Sequence, residues 1–366
     1  MRIIKEQVTI YPYNNDYEPF INHKSMIHSM EIISLVSPKG WGMTGDVINS
    51  DDSLMEVHDN FSVGINSCTT VWFVEDDLIP LPHELLFLNV TEAIEKKKKI
   101  IFSRYKDKQL YQEVDRMIPT ELKLTPPRYE VYDNLFNPKK LYSINIPIVI
   151  IAGISEKTDK FSIQVKLRNQ FMKRGYKVSS VSTRLDSSII GMHPLPSFML
   201  DNHKSTEERI LEYNHFIKHL ELIEQPEIII IGIPGGVLPY NNYLYNKFGV
   251  MAFEICNSVR CDCAVLCSLF SDYSHDYFDE IAEGLFNKYE MDILYHHIAA
   301  RMRDNLHDSI NEYEFNYLSL DENYVKEKIK ACGIMNAYNM LDVNDASKVV
   351  ENIIEKFSYD DSFAFI

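Results

Sequence analysis

The stretch that decides the fold is Pro147-Ile-Val-Ile-Ile-Ala-Gly153, which runs directly into Ile-Ser-Glu-Lys-Thr-Asp-Lys160-Phe161. Its first seven residues form an uncharged apolar run, which is typical of a strand buried on both faces of a parallel sheet. A helical pattern begins at Lys160 and continues to Arg174, just before Gly175. A strand, a short loop and a lysine at the start of a helix are the parts of a phosphate-binding P-loop.

Apolar runs and helical patterns alternate on the carboxyl-terminal side of this stretch. The further predicted strands are Tyr176–Thr183, Glu227–Gly236, Val250–Ile255, Cys263–Phe270 and Asp292–Ile298. The further predicted helices are Ser205–Glu224, Asp276–Tyr289, Glu322–Cys332 and Asp345–Phe357. We expect residues 141–366 to form a doubly wound α/β domain that is P-loop-like, with a carboxyl-terminal α/β extension.

The amino-terminal part shows the same alternation on a smaller scale. The predicted strands are Gln7–Pro12, Glu31–Val36, Thr69–Glu75 and Lys99–Ser103, and His83–Lys98 is a predicted helix. Short apolar strands separated by helical patterns predict a Rossmann-like parallel sheet, which we assign to residues 1–140. No GxGxxG motif marks it as a dinucleotide site. The polar, proline-containing residues 104–145 are interpreted as a connection with some structure of its own.

The loop itself departs from the common P-loop, in which the lysine lies six residues after the first glycine and precedes a Ser or Thr that binds Mg²⁺. Here Lys160 lies seven residues after Gly153 and precedes Phe161. The longer spacing resembles the GTDTGVGKT loop of dethiobiotin synthetase and its relatives, with the first glycine and the lysine in register. Lys157 and Asp159 replace its two inner glycines, and Phe161 replaces its final threonine.

A second segment resembles the same family. The relatives carry an EGAGG segment and then a Leu-Val-Pro stretch after a hydrophobic strand, and this chain has Gly232-Ile-Pro-Gly235-Gly236-Val-Leu-Pro239 in the same order. Gly232 replaces the glutamate. The resemblance implies a site for ATP or another nucleotide, and Phe161 argues against Mg²⁺ there. The implied nucleotide- or phosphate-binding residues are Gly153, Thr158, Lys160, Gly235 and Gly236.

Most of the chain also resembles a narrower family, the clostridial peptide-maturation proteins found in natural-product systems beside radical SAM enzymes. The segments that carry this resemblance are Tyr11–Phe20, Ser34–Gly45, Ala152–Phe161, His193–Met199, Glu212–Lys218 and Gly232–Asn242. The resemblance implies a context of peptide maturation, with a precursor peptide or a radical SAM maturation enzyme as the partner. Dethiobiotin-synthetase-like domains commonly pair, so the resemblance to that family implies a homodimer.

Two loops of the amino-terminal region follow predicted strands, namely Tyr11–Asp16 and Ser37–Gly45. Loops at the carboxyl ends of parallel strands line the binding crevice of such a sheet. We therefore predict a crevice for a peptide or a small anion, and flexible connections are the alternative. The candidate residues are Tyr13, Asn14, Lys39, Trp41 and, from a later loop, His193. His193 is either a general base or an ordinary loop histidine.

Charge and cysteine usage exclude several classes of protein. The formal charge is −16 and the one basic run is Lys96–Lys99, so the basic surface of a nucleic-acid-binding protein is missing. Neither a secretory signal nor an apolar run of about 18 residues is present, so no membrane span is expected and the predicted location is the cytoplasm. Four cysteines, Cys256, Cys261, Cys263 and Cys267, are spaced too irregularly for a metal site, and we predict none.

Two functions remain open. The first is an accessory protein of ribosomally synthesised peptide maturation, which binds a precursor peptide or a partner enzyme and keeps a degenerate phosphate site. The second is an ATP-dependent enzyme that activates a carboxylate by phosphoryl transfer, in which Lys160 neutralises the phosphate and a metal is recruited by Asp159, Glu254 or Thr158. Side chains that fill the loop favour the first function, and an open anion-sized space favours the second.

Overall fold

The computed structural model divides into two compact units. The first comprises Met1–Tyr129 and Arg184–Pro194, and the second comprises Glu130–Thr183 and Leu195–Ile366. The structure describes residues 5–27, 29–50, 53–75, 80–102, 107–125, 136–239, 248–274, 276–304, 317–333 and 335–363. This division differs from the single one that we predicted near residue 140, because it falls at Tyr129 and also assigns Arg184–Pro194 to the first unit.

The first unit is built on a six-stranded sheet. Its strands are β1 (Glu6–Tyr11), β2 (Met30–Val36), β3 (Val47–Ser50), β4 (Ser53–His58), β5 (Thr70–Phe73) and β6 (Lys99–Phe102). They lie in the order β3-β4-β2-β1-β5-β6, and every pair is parallel except β3 with β4. The parallel sheet that we predicted is confirmed, and the antiparallel β3–β4 pair is an addition to it.

Helices cover this sheet and supply its core. They are α1 (Glu18–Asn22), α2 (Phe61–Gly64), α3 (His83–Glu95) and α4 (Lys108–Met117). Leu86 and Val90 of α3 and Val114 of α4 pack with Val71 and Phe73 of β5 in one buried cluster. The i, i+4 spacing along α3 thus forms the apolar stripe that a surface helix buries. Helix α4 is the structure expected within residues 104–145.

The segment Arg184–Pro194 contains a short 3₁₀ turn and the strand β9 (His193–Pro194). Arg184 is buried and donates two hydrogen bonds to the Asp186 carboxylate, from Nε at 2.8 Å and from Nη2 at 2.7 Å. Its Nη1 donates to the Asp16 carbonyl oxygen at 2.6 Å, and its guanidinium lies over the rings of Tyr17 and Phe20. These bonds satisfy the buried charges and attach the segment to the first unit.

The second unit contains a second parallel sheet. Its remaining strands are β7 (Ile148–Gly153), β8 (Val178–Ser182), β10 (Ile228–Gly232), β11 (Cys263–Ser268), β12 (Ile293–Ile298) and β15 (Ala337–Tyr338), with a separate antiparallel pair β13 (Arg301–Arg303) and β14 (Tyr317–Ser319). The parallel strands follow the order β15-β12-β11-β7-β10-β8. Strand β7 therefore lies in the middle, with β10 on one side and β11 on the other.

Helices cover both faces of this sheet. They are α5 (Lys160–Lys173), α6 (Thr206–Glu224), α7 (Val250–Ser258), α8 (Tyr277–Tyr289), α9 (Glu322–Cys332) and α10 (Val343–Phe363). Along β7, Ile148 and Ile150 pack against residues of α6, α7 and α8, whereas Val149 and Ile151 pack against residues of α5 and α10. The alternation of strand side chains explains why the decisive run is apolar throughout. The doubly wound fold is confirmed, and the last strands and helices extend it.

One predicted strand is wrong. Residues Val250–Ile255 form most of helix α7, which begins after Gly249 in a left-handed conformation (φ +72°). Ala252 and Ile255 are buried three residues apart, while Val250 and Phe253 are exposed three residues apart. This spacing of three is helical, and a short apolar run does not by itself distinguish a helix from a buried strand.

Candidate functional site

The candidate site lies at the carboxyl end of β7. From β7 the chain goes to β8 and β10 on one side of it, and afterwards to β11, β12 and β15 on the other. The point where a parallel sheet reverses its order in this way opens a crevice at the carboxyl ends of the strands. The loop Gly153–Phe161, which we call the β7 loop, and the segment Gly232–Gly236 both leave the sheet at this point.

The two segments that were predicted to face a phosphate are in direct contact. The amide of Val237 donates to the Gly153 carbonyl oxygen at 2.9 Å, and the amide of Leu238 donates to the Ile154 carbonyl oxygen at 3.2 Å. A Cβ atom at Gly236 would lie 2.8 Å from the Ile154 carbonyl oxygen, so no side chain fits there. The structure therefore brings Gly153 and Gly236 together.

Two residues of the β7 loop that carry side chains adopt left-handed backbone conformations. Lys157 (φ +57°) and Asp159 (φ +61°) lie in the left-handed region, and these are the two positions where the resembling loop has glycine. A residue with a side chain costs about 1–2 kcal/mol in that conformation. The β7 loop therefore holds two residues with side chains in a conformation that glycine adopts at lower cost.

Lys160 turns back onto its own loop. Its Nζ donates to the Ser155 carbonyl oxygen at 2.9 Å and lies 3.7 Å from Glu156 Oε2. The buried Thr158 hydroxyl donates to the same carbonyl oxygen at 3.3 Å. A Cβ at Gly153 would lie 2.7 Å from Lys160 Cδ, so the glycine leaves the room in which the lysine lies. The ammonium group is thus bound by oxygens of the chain itself.

Asp159 lies between two nitrogen groups from the β12 side of the sheet. Its Oδ2 is 3.7 Å from His297 Nε2, and its Oδ1 is 3.7 Å from Arg301 Nη1. Arg301 Nη1 also donates to the Lys157 carbonyl oxygen at 3.2 Å. His297 is fully buried, and its Nδ1 accepts from the Met340 amide at 3.0 Å. A neutral ring therefore carries its proton on Nε2, which has no hydrogen-bond partner among the described residues.

The interior below the loop is closed. Gln164 of α5 donates from Nε2 to the carbonyl oxygens of Val181 and Ile230, at 2.8 and 3.3 Å. A Cβ at Gly232 would lie 2.7 Å from Gln164 Oε1, so the glutamine occupies the space that a side chain at position 232 would need. Burial also raises the pKa of the Cys267 thiol above its ordinary value, while the nearby Lys160 opposes that rise.

The groups considered as metal ligands are engaged elsewhere. Glu254 of α7 is fully buried, and its Oε1 accepts two hydrogen bonds from Arg209, at 2.8 and 2.6 Å. Thr158 and Asp159 make the contacts already described, and Phe161 has no ligand atom to offer. Within the described ranges, no three His, Cys, Asp or Glu side chains come together in a way that could hold a metal ion.

The candidate residues of the first unit occupy different environments. Tyr13, Asn14 and His193 are buried, whereas Trp41 is half-buried and Lys39 is exposed, 3.7 Å from Asp59 Oδ2. Because three of the five side chains lie in the interior and one is open to solvent, the crevice that would join them stays a prediction.

Tyr13 and Asn14 take on roles in the interior of the first unit. Asn14 Oδ1 accepts from the Asp16 amide at 3.0 Å and caps a 3₁₀ turn. The Tyr13 hydroxyl has no hydrogen-bond partner among the described residues. Burial raises its pKa, and the negative charges of Glu18 and Asp46 raise it further. A neutral phenol at this position suits a structural role.

Four residues at the site were not predicted from the sequence: Ser155, Glu156, His297 and Arg301. Ser155 acts through its backbone oxygen, for which a sequence gives no signal. His297 and Arg301 lie at and just after the end of the predicted strand Asp292–Ile298, and this position at the carboxyl edge of the sheet was the signal that could have found them.

The fold has a counterpart among solved structures. A DUF1611 family protein from Anabaena variabilis superposes with a TM-score of 0.63, covering 96% of this chain and 100% of that chain at 9% sequence identity. No protein-family model matches the chain, and no curated protein matches it. Across the described residues, no helix is both long enough and apolar enough to cross a bilayer. The chain has a two-domain α/β fold, and this likeness shows the fold alone.

Proposed function

We propose that this chain is an accessory binding protein of ribosomal peptide maturation, with a phosphate site in the β7 loop that binds without transferring phosphate. The observation that carries the proposal is the state of Lys160. Its ammonium group is bound by the Ser155 carbonyl oxygen and faces the Glu156 carboxylate, so the loop supplies its own oxygen ligands. A lysine held in this way suits occasional anion binding better than rapid turnover of a nucleotide.

The contacts of the loop favour binding over phosphoryl transfer. Phosphoryl transfer depends on Mg²⁺ to bridge the phosphates and to neutralise the charge that develops. Phe161 stands where a hydroxyl would bind that ion, and Glu254 Oε1 is saturated by Arg209. The ATP-dependent enzyme, which is the competing hypothesis, would depend on Glu254 Oε2, the other oxygen of this carboxylate, which has no hydrogen-bond partner among the described residues.

The context of peptide maturation rests on the resemblance of the sequence to the clostridial family. Under this proposal the protein acts in the cytoplasm, as a homodimer, and its partner is the precursor peptide or the radical SAM enzyme that modifies it. The first unit offers the loop Ser37–Gly45 for that contact, with the exposed Lys39 and the half-buried Trp41.

Titration calorimetry on the whole chain tests the proposal, with the precursor peptide, Mg-ATP and Mg-GTP as separate ligands. We expect the precursor to bind and both nucleotides to bind weakly or not at all. Tight Mg-ATP binding with turnover that Lys160→Ala abolishes would overturn the proposal. Lys173→Ala is the matched control, because Lys173 is an exposed lysine at the other end of the same helix.

A further inference from the structure

We infer that the β7 loop takes a single phosphate group, which exchanges with the Glu156 carboxylate at Lys160, and that it excludes polyphosphates. The inference rests on the proposed function, because it names the ligand class of the same site. The ligand is then inorganic phosphate or a phosphomonoester, and nucleoside triphosphates are poor ligands.

The Glu156 carboxylate is placed so that an anion from solvent can displace it from Lys160. Its side chain is 56% exposed, whereas that of Lys160 is 10% exposed, so the glutamate reaches in from solvent to a lysine that stays in place. The Nζ–Oε2 distance of 3.7 Å makes a weak ion pair. Glu156 Oε1 lies 4.0 Å from the position of a Cβ at Gly235, which has φ +74° and no side chain. The Glu156 carboxylate thus occupies the space over Gly235 in this structure, and a phosphate would occupy the same space after the exchange.

The loop also offers unfilled donors. The Ile154 amide donates to the Cys267 carbonyl oxygen. The amides of Glu156, Thr158 and Asp159 donate to no backbone carbonyl oxygen among the described residues. They lie at the amino terminus of α5, where the helix dipole favours a negative charge. An alternation of right- and left-handed residues, as at Lys157 and Asp159, turns successive amides to one side as an anion nest.

A second observation points to a ligand oxygen independently of the helix terminus. His297 Nε2 is fully buried, carries the ring proton, faces the loop and has no hydrogen-bond partner among the described residues. Asp159 Oδ2, the acceptor that it faces, lies beyond hydrogen-bond distance at 3.7 Å. Buried donors are rarely left unfilled, so the interior side of the loop keeps one position for an acceptor atom.

The limit to one phosphate comes from Asp159. Its side chain is 15% exposed and lies between His297 and Arg301, so it cannot swing into solvent as Glu156 can. Its negative charge stays beside the loop after the exchange and repels a ligand more strongly the more phosphate charges that ligand carries, so a single phosphate is repelled least. Phe161 offers no oxygen for the Mg²⁺ that would offset this repulsion in a triphosphate site.

Calorimetry on the full chain and its Glu156→Gln, Lys160→Ala and Glu207→Gln variants tests the exchange, with inorganic phosphate, phosphoserine, pyrophosphate and Mg-ATP as probes. Glu156→Gln removes the competing charge, so we expect it to bind phosphate about tenfold more tightly than the wild type. Lys160→Ala should bind phosphate at least about tenfold more weakly. Glu207→Gln makes the same charge change at an exposed position of α6 and should leave the affinity unchanged.

The other probes separate the remaining outcomes. Phosphoserine binding tighter than phosphate identifies a phosphomonoester, and equal binding identifies free phosphate. Equal phosphate affinity of Glu156→Gln and the wild type overturns the exchange, and tighter binding of pyrophosphate or Mg-ATP overturns the limit to one phosphate. The precursor peptide is titrated into the same samples, so the inference can fail while the accessory role stands. Thermal unfolding verifies folding, and Lys160→Met replaces Lys160→Ala if the alanine variant unfolds.

Discussion

The loops that follow β2 and β7 reach left-handed backbone conformations by opposite means. The loop after β2 uses Gly40, Gly42 and Gly45, with φ between +77° and +90°, and a Cβ at any of them would meet nothing within 4 Å. The loop after β7 uses Lys157 and Asp159, which have side chains and bear the steric cost of the same conformation. One loop is shaped by its own residue types, and the other is shaped by what surrounds it.

This difference shows which of the two loops is held in its conformation by neighbouring residues. Strained conformations persist only where the surrounding structure fixes them. In the β7 loop, Arg301 donates to the Lys157 carbonyl oxygen, Asp159 faces Arg301 and His297, and Thr158 donates to the Ser155 carbonyl oxygen. The glycines of the first loop need no such support, so its shape carries no information about a ligand.

Thiol labelling should reveal the largest contrast between the two loops. In a Cys332→Ser background, which removes the exposed native thiol, a Thr44→Cys substitution places a thiol in the open loop after β2. We expect Cys267, which is buried next to the β7 loop and has a raised pKa, to react with iodoacetamide at least about a thousandfold more slowly. Mass spectrometry of the labelled peptides measures both rates, and similar rates would show that the β7 loop opens readily.

Added Cβ atoms should separate the loops by stability. In Gly236→Ala the methyl group meets backbone atoms of Ile154 and Ser155 at 2.8 and 2.9 Å, so we expect a loss of about 3 kcal/mol in the free energy of unfolding. Gly42→Ala meets open space and bears only the strain of its φ of +77°, for which we expect about 1 kcal/mol. Urea unfolding measures both values, and equal losses would refute the close approach of the two segments at β7.

The smallest effects should come from placing glycine at the two left-handed positions of the β7 loop. Lys157→Gly removes strain and should raise the free energy of unfolding by about 0.5–1 kcal/mol. Asp159→Gly removes similar strain but also takes the carboxylate away from His297 and Arg301, so we expect a net loss of about 1 kcal/mol. Opposite signs in urea unfolding support the fixing of the loop through Asp159. Stabilisation by both substitutions would show that the Asp159 carboxylate does not fix the loop.

Features with a local cause could be predicted from the sequence. The apolar run of β7 predicted a central strand, because a strand buried on both faces needs apolar residues at every position. The helix predicted over Ser205–Glu224 begins with a capping box: the Glu208 amide donates to Ser205 Oγ, and the Ser205 amide donates to Glu208 Oε2. Helix α5 likewise begins at Lys160, where the helical pattern of the sequence begins.

Features that depend on distant partners could not be predicted. Residues Val250–Ile255 look like a strand by composition but form a helix, in which Glu254 accepts a hydrogen bond from Arg209 and Ile255 joins the core. Arg301 and His297 reach the β7 loop only after β12 takes its place in the sheet, more than 130 residues further along the chain. The fold was therefore more predictable than the site, and the predicted residues Tyr240–Asn242 lie outside the described part of the chain.

The segment Arg184–Pro194 has a consequence for the order of synthesis. The first unit includes Arg184, whose guanidinium lies over Tyr17 and donates to the Asp16 carbonyl oxygen, yet Arg184 is translated after β7 and β8 of the second unit. A ribosome has therefore already made the two opening strands of the second unit before the first unit can be completed. A gene fragment that stops at Tyr129 encodes an unfinished first unit, and the two units cannot be separated by cutting the chain once.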